Sequence, residues 1–293
     1  MAASATEIVC GSYEGNVVGY SVPSAAIEGA ADEQQRASAP IFAELQHDGC
    51  VRAIACGGGL MATGGTDNAI AVYNLRKRRS HGKLLQETGG AAINCLAFHE
   101  QSHLISGSAD GELQIWRSSD WECLLRMKGH KAAVLDAAVH PSGRVALSVG
   151  ADAKLMLWNL TTGKCNYTTA LPAACSLVRW SPSGDVYALA SRQAVTLFDL
   201  RSGAQLHTLE HRDGAPLALG FAGPQLVLTG SEGGALRVWD VPTGECVLTV
   251  GGAHAKRVKA LAVVPSTADD AAHTVVSAST DGTVHVWQLR PAA

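Results

Sequence analysis

Leu155-Met156-Leu157-Trp158 is a short apolar strand closed by an aromatic ring, and six other stretches repeat it. They are Val17-Val18-Gly19-Tyr20, Ile70-Ala71-Val72-Tyr73, Leu113-Gln114-Ile115-Trp116, Val195-Thr196-Leu197-Phe198, Leu236-Arg237-Val238-Trp239 and Val284-His285-Val286-Trp287. From Tyr73 onward the closing rings stand 43, 42, 40, 41 and 48 residues apart. A strand recurring every ~40–45 residues has the period of a four-stranded propeller blade, a unit that buries its faces only against its neighbours. Seven rings predict seven blades, forming one all-β domain over residues 1–293.

Working outward from each ring, a second pattern emerges. Six residues before the closing aromatic stand Asp67, Asp110, Asp152 and Asp281, with Glu14 in blade one. Four residues earlier come Thr63, Ser106, Ser148 and Ser277, and His47, His130 and His254 lie upstream of a first strand. A buried carboxylate needs donors, and an imidazole supplies one. A hydroxyl can then bridge the imidazole to an indole N–H, which also needs a partner. His130, Ser148, Asp152 and Trp158 are expected to form such a set, as are His254, Ser277, Asp281 and Trp287. His47, Thr63, Asp67 and Tyr73 form a third with one ring replaced. Ser, His and Asp together also suit nucleophilic catalysis, but repetition around a ring marks a structural staple. Blade five carries Arg192 at the aspartate position and blade six Gly233, with Glu232 one step early, so those corners must be held differently. The pattern, with its Gly129-His130 and Trp239-Asp240 dipeptides, resembles the WD-repeat (WD40) family.

Composition narrows the function. The 293 residues hold 23 Lys+Arg against 26 Asp+Glu, a formal charge of −3. That balance excludes a surface built throughout to coat nucleic acid. No run approaches the ~18 consecutive apolar residues of a membrane-spanning helix. Met1-Ala2-Ala3-Ser4-Ala5-Thr6-Glu7 lacks the basic lead and apolar core of a secretory signal. The eight cysteines include no C-x-x-C pair and read as reduced structural thiols. His99-Glu100-Gln101-Ser102-His103 spells H-E-x-x-H, which binds zinc only on a helix; between two strands it reads as a solvated turn. No P-loop and no G-x-S-x-G elbow occurs, so neither enzyme chemistry nor a cofactor or metal is expected.

Other expectations concern loops and ends. Residues 23–40 read as a flexible loop after the third strand of blade one. The count reaches 26 strands where seven full blades need 28. The last outer strand of blade seven and the first inner strand of blade one are thus expected to be missing, as in a truncated version of a longer chain. Arg76-Lys77-Arg78-Arg79 reads equally as a nuclear targeting element, a phosphate-facing patch or a solvated loop. Lys131, Lys154, Lys256 and Arg257, with Lys259, fall on loop-bearing rims where partners dock, or are scattered solubilising charges.

An ordered series goes beyond the generic repeat: Gly11-Ser12-Tyr13-Glu14, His103-Leu104-Ile105-Ser106-Gly107 with Asp110-Gly111, Trp121-Glu122-Cys123-Leu124, His140-Pro141-Ser142-Gly143, Trp180-Ser181-Pro182, and Val275-Val276-Ser277-Ala278-Ser279. Together these resemble the PAK-interacting protein/maintenance-of-killer family of WD-repeat proteins. The resemblance implies a non-catalytic scaffold in the nucleus and nucleolus, serving large ribosomal subunit (60S) biogenesis and pre-rRNA processing. Its implied partners are pre-60S proteins and assembly factors, with pre-rRNA as a further contact. The alternative it implies is a negative regulator that binds and inhibits a p21-activated protein kinase. Neither role involves a membrane or a small-molecule substrate.

Overall fold

A computed structural model describes residues 6–22, 40–85, 90–264 and 273–289. The described residues form seven antiparallel sheets and no helix. Blade one holds β1 (Thr6–Gly11), β2 (Asn16–Val22) and β3 (Pro40–Leu45); blade two holds β4 (Val51–Gly57), β5 (Leu60–Gly65), β6 (Ala69–Asn74) and β7 (Arg79–Leu85). Blade three comprises β8 (Ile93–His99), β9 (His103–Ser108), β10 (Glu112–Arg117) and β11 (Cys123–Lys128), and blade four β12 (Val134–Val139), β13 (Val145–Gly150), β14 (Lys154–Asn159) and β15 (Lys164–Ala170). Blade five is β16 (Leu177–Trp180), β17 (Val186–Ala190), β18 (Ala194–Asp199) and β19 (Gln205–Glu210). Blade six is β20 (Pro216–Ala222), β21 (Leu226–Ser231), β22 (Leu236–Asp240) and β23 (Cys246–Val250), and blade seven β24 (Val258–Val264), β25 (His273–Ser279) and β26 (Val284–Leu289). Each sheet is a meander, its strands paired in chain order. The closing ring lies on the third strand of the full blades but on β2 in blade one, so β1–β3 correspond to second, third and fourth strands. Trp287 lies on β26, so β24–β26 correspond to first, second and third.

Middle strands carry the core. After one half-buried residue, β5, β9 and β13 are buried at every position, because both faces of a blade press on neighbours. The core therefore runs between blades. Cys95, Ile105, Leu113 and Met127 of blade three pack against Val134, Ala146, Met156 and Trp158 of blade four. Trp158 is among the largest fully buried side chains, and its loss to alanine would cost about 3–5 kcal/mol. Tight turns close the meanders; in Pro141-Ser142-Gly143 the glycine takes φ +68°, which a side chain would resist.

Two irregularities repeat. The third-to-fourth strand pairing shifts register at the closing ring in all six blades that have both strands. The first-to-second pairing shifts near its start in blades two, three, four, six and seven. Blade five alone pairs β16 with β17 without a shift.

Two loop expectations meet the structure only in part. Of residues 23–40, Pro40 opens β3, and 23–39 lie outside the described residues. The basic run is not a free loop: Arg79 opens β7, and the Arg78 guanidinium bonds Glu7 of blade one at 2.6 Å while lying 5.4 Å over the Phe42 ring. Arg76, Lys77 and Arg79 stay exposed.

Candidate functional site

The blade corners come first, because they fix the loops above them. In blade four, the His130 Nδ1–H donates to Asp152 Oδ1 at 2.9 Å, and Ser148 Oγ lies 2.7 Å from His130 Nε2. The Trp158 indole N–H donates to Ser148 Oγ at 2.8 Å, completing a chain in which every donor has an acceptor. Asp152 also accepts the Lys131 N–H at 2.9 Å. Burial pushes its carboxyl up, but the Lys131 N–H, the His130 ring and the Lys154 N–H hold it below the usual carboxylate range.

Blade two repeats this with a change. His47 bonds Asp67 and Thr63, both at 2.8 Å, and Thr63 Oγ1 lies 2.8 Å from Gln46 Oε1. Tyr73 has no indole N–H to offer and turns to Glu44 instead. In blade seven the expected direct His–Asp bond is absent. Thr283 intervenes: its hydroxyl lies 2.7 Å from His254 Nδ1 and donates to Asp281 Oδ1 at 2.5 Å, leaving the nearer carboxylate oxygen 3.8 Å from the ring. Ser277 still receives the Trp287 N–H at 2.9 Å and contacts His254 Nε2 at 2.7 Å.

The degenerate blades use other groups, which sequence reading missed. In blade six the Trp239 N–H donates to Thr229 at 2.9 Å, and His211 sits 5.5 Å from that indole. Asp213, from the preceding loop, ion-pairs with Arg237 and accepts the Ser231 hydroxyl at 2.7 Å. Burial first, then the Arg237 charge, pulls the His211 imidazole down to about 4. A signal existed: His211 precedes Thr229 by 18 residues, the interval from His130 to Ser148. Blade five replaces the polar set with Ala188 and Phe198, and is held across the blade boundary instead. Buried Asp136 on β12 takes the Val178 N–H at 2.9 Å and the Arg179 guanidinium. Burial pushes the Asp136 carboxyl up against both contacts.

These sets do no surface chemistry. Ser148, Ser277 and Thr63 are entirely buried, so no substrate reaches their hydroxyls. His99 and His103 face each other across the β8–β9 turn rather than lying one helical turn apart, and among the described residues no metal-binding group of side chains occurs. A shallow cleft of about 600 Å³ beside this turn is lined by Gly57, Gly58, Phe98, Glu100, Gln101 and Ser102 with Cys56, and offers one carboxylate and no cation.

The rim cations divide into two places. Lys131 and Lys154 flank Asp152 at the blade-four corner. Lys256 and Arg257 lie on the loop entering blade seven, with blades five and six between the pairs. There a cleft of about 580 Å³ is lined by Tyr13, Glu232, Lys256, Arg257 and Thr280.

Comparison with known sequences gives this arrangement its relatives. Residues 82–117, 121–159 and 244–288 match the family described as WD domain, G-beta repeat. The chain is 34% identical over 283 residues to a p21-activated protein kinase-interacting protein 1-like protein of Danio rerio, covering 97% of this chain and 73% of the relative. It is 31% identical to p21-activated protein kinase-interacting protein 1 of Homo sapiens, covering 97% and 70%. Protein MAK11 of Saccharomyces cerevisiae is 31% identical over 217 residues, covering 67% of this chain and 51% of the yeast protein. Seven meandering blades, corner sets of His, Ser/Thr, Asp and Trp, and this likeness along nearly the whole chain agree: it belongs to the p21-activated protein kinase-interacting protein 1 family of WD40 propellers.

Proposed function

We propose that the protein is a non-catalytic scaffold in assembly of the large ribosomal subunit and pre-rRNA processing, working in the nucleolus. The observation that carries the scaffold reading is a separation of roles. The Ser-His-Asp sets are sealed inside the blades, while exposed cations and an exposed tyrosine sit on the loops of a rigid ring. The ribosomal setting is supported by the motif series and by the likeness to MAK11. Its partners would be pre-60S proteins and assembly factors, with pre-rRNA as a further contact. Arg76, Lys77 and Arg79 would contribute to nuclear entry, Arg78 being engaged with Glu7. Sedimentation tests the reading: the protein should travel with large-subunit precursors, and depleting it should lower large subunits relative to small ones.

The second reading, a regulator that binds and inhibits a p21-activated kinase, is favoured by the names of the zebrafish and human relatives. Normal sedimentation profiles after depletion, together with an overactive kinase, would establish it in place of the first.

A further inference from the structure

From the cleft shared by blades six, seven and one we infer that the protein binds an extended acidic peptide segment there, held by Lys256 and Arg257 against Tyr13. The inference rests on the scaffold reading and names the chemistry of one partner contact. Among the described residues, neither Lys256 nor Arg257 has an ion pair or side-chain hydrogen bond, and both are exposed. Tyr13 beside them is 67% exposed, more than Tyr167 at 61%. Tyr13 and the two cations offer apolar contact and charge side by side, and tyrosine and arginine are enriched where proteins dock.

The four connections that line the cleft, β1–β2, β21–β22, β23–β24 and β25–β26, are each held by main-chain hydrogen bonds before anything binds. The loop bearing Lys256 and Arg257 is clamped from two sides. His254 N–H donates to Gly234 O at 3.1 Å, Ala255 N–H donates to Asp281 at 2.9 Å, and Arg257 O accepts the Thr280 N–H at 3.2 Å. Gly234, at φ +83°, lies so close that an added Cβ would come within 2.8 Å of Lys256 O. Tyr13 rides a turn in which Ser12 Oγ accepts the Glu14 and Asn16 N–H groups at 3.2 and 3.0 Å, and Val51 N–H ties Ser12 O to blade two at 3.0 Å. On the protein's side binding therefore orders side chains only, which lowers its cost.

A peptide is favoured over RNA by the opposite wall. Glu232 is exposed and also has no ion-pair partner among the described residues. Its carboxylate repels phosphates and acidic side chains alike, but it accepts main-chain peptide N–H groups, which a phosphate backbone does not offer, and the Thr280 hydroxyl can accept or donate.

The test is fluorescence anisotropy on the whole chain with three labelled probes of equal length: a Glu-Asp-Leu repeat peptide, a Lys-Leu repeat peptide and oligouridylate. The acidic peptide should bind, more weakly as salt rises, and Lys256→Glu with Arg257→Glu should weaken it about tenfold or more. Tyr13→Ala should weaken it less, and Lys131→Glu with Lys154→Glu should leave it unchanged. Denaturation midpoints check that each variant folds, and Lys256→Gln with Arg257→Gln, a milder change, should weaken binding in the same direction but by less. Equal losses from the blade-four pair, tighter binding of oligouridylate, or no binding of the acidic peptide by the unaltered chain would each overturn the inference. Co-sedimentation with large-subunit precursors is read separately. If it persists when peptide binding is absent, the cleft falls and the scaffold stands; if it is absent while the peptide binds, the reverse holds.

Discussion

Replacing Asp152 with alanine removes the acceptor at the blade-four corner, and the structure sets the size of the effect. Three donors lose a partner: His130 Nδ1–H, Lys131 N–H and Lys154 N–H. Lys131 is exposed, so water replaces the carboxylate there at little cost. The His130 ring is fully buried, with its other nitrogen committed to Ser148, so its N–H is left unpaired out of water's reach. A buried unsatisfied donor costs about 1–3 kcal/mol, and that one group dominates. Arg192, at the same register in blade five, is exposed and has no hydrogen bond or ion pair among the described residues, so Arg192→Ala should stay within about ±0.5 kcal/mol. Urea unfolding followed by tryptophan fluorescence measures both. A double variant with His130→Phe should recover part of the loss, since removing both partners leaves nothing unpaired. Equal midpoints for Asp152→Ala and Arg192→Ala would refute the staple, and strict additivity with His130→Phe would refute the pairing.

His211 should make folding acid-sensitive. Its folded value of about 4 lies below the ordinary 6.5, so above pH 6.5 the ring is neutral in both states and nothing is lost. Between 6.5 and about 4 only the unfolded chain takes up the proton, and stability should fall by up to about 3 kcal/mol. His211→Leu should flatten that slope in urea titrations at several pH values, and a slope left unchanged would exclude His211 as its source. Gly150→Ala should destabilise by about 1–3 kcal/mol, because the added Cβ would press on the His130 ring nitrogen and come within 2.6 Å of Asp152 Oδ1; an unshifted midpoint would contradict that crowding. Amide hydrogen exchange should be fastest in blades one and seven, each three-stranded among the described residues, and uniform protection around the ring would count against it.

Some of the molecule is legible in its sequence, and the boundary is physical. The blade count and the His130 set are read directly because strand, turn and ring recur at fixed chain distances. His211 escapes a search that counts back from Trp239, because the carboxylate of that corner has moved to Asp213 on the preceding loop. Thr283 escapes because its insertion between His254 and Asp281 depends on side-chain placement that spacing does not carry. The Asp136–Arg179 clamp joins two repeats, and a pattern defined within one repeat is blind to it.

The register shift at each closing ring bears on how these molecules crowd together in solution. Among the described residues β3, β7, β11, β15, β19, β23 and β26 each end a sheet on the perimeter, so seven rows of backbone groups face any neighbour. A bulge twists such a row away from a flat match, and charges discourage what twist allows. Five of the seven carry charge: Glu44 on β3, Arg79 and Lys83 on β7, Lys128 on β11, Lys164 on β15 and Glu210 on β19. β26 and β23 carry no Asp, Glu, Lys or Arg, and β23, Cys-Val-Leu-Thr-Val, exposes Val247 and Leu248 by 59% and 47%. Side-by-side polymerisation of the purified ring should start there, and Val247→Lys should raise its solubility limit while leaving every blade corner untouched.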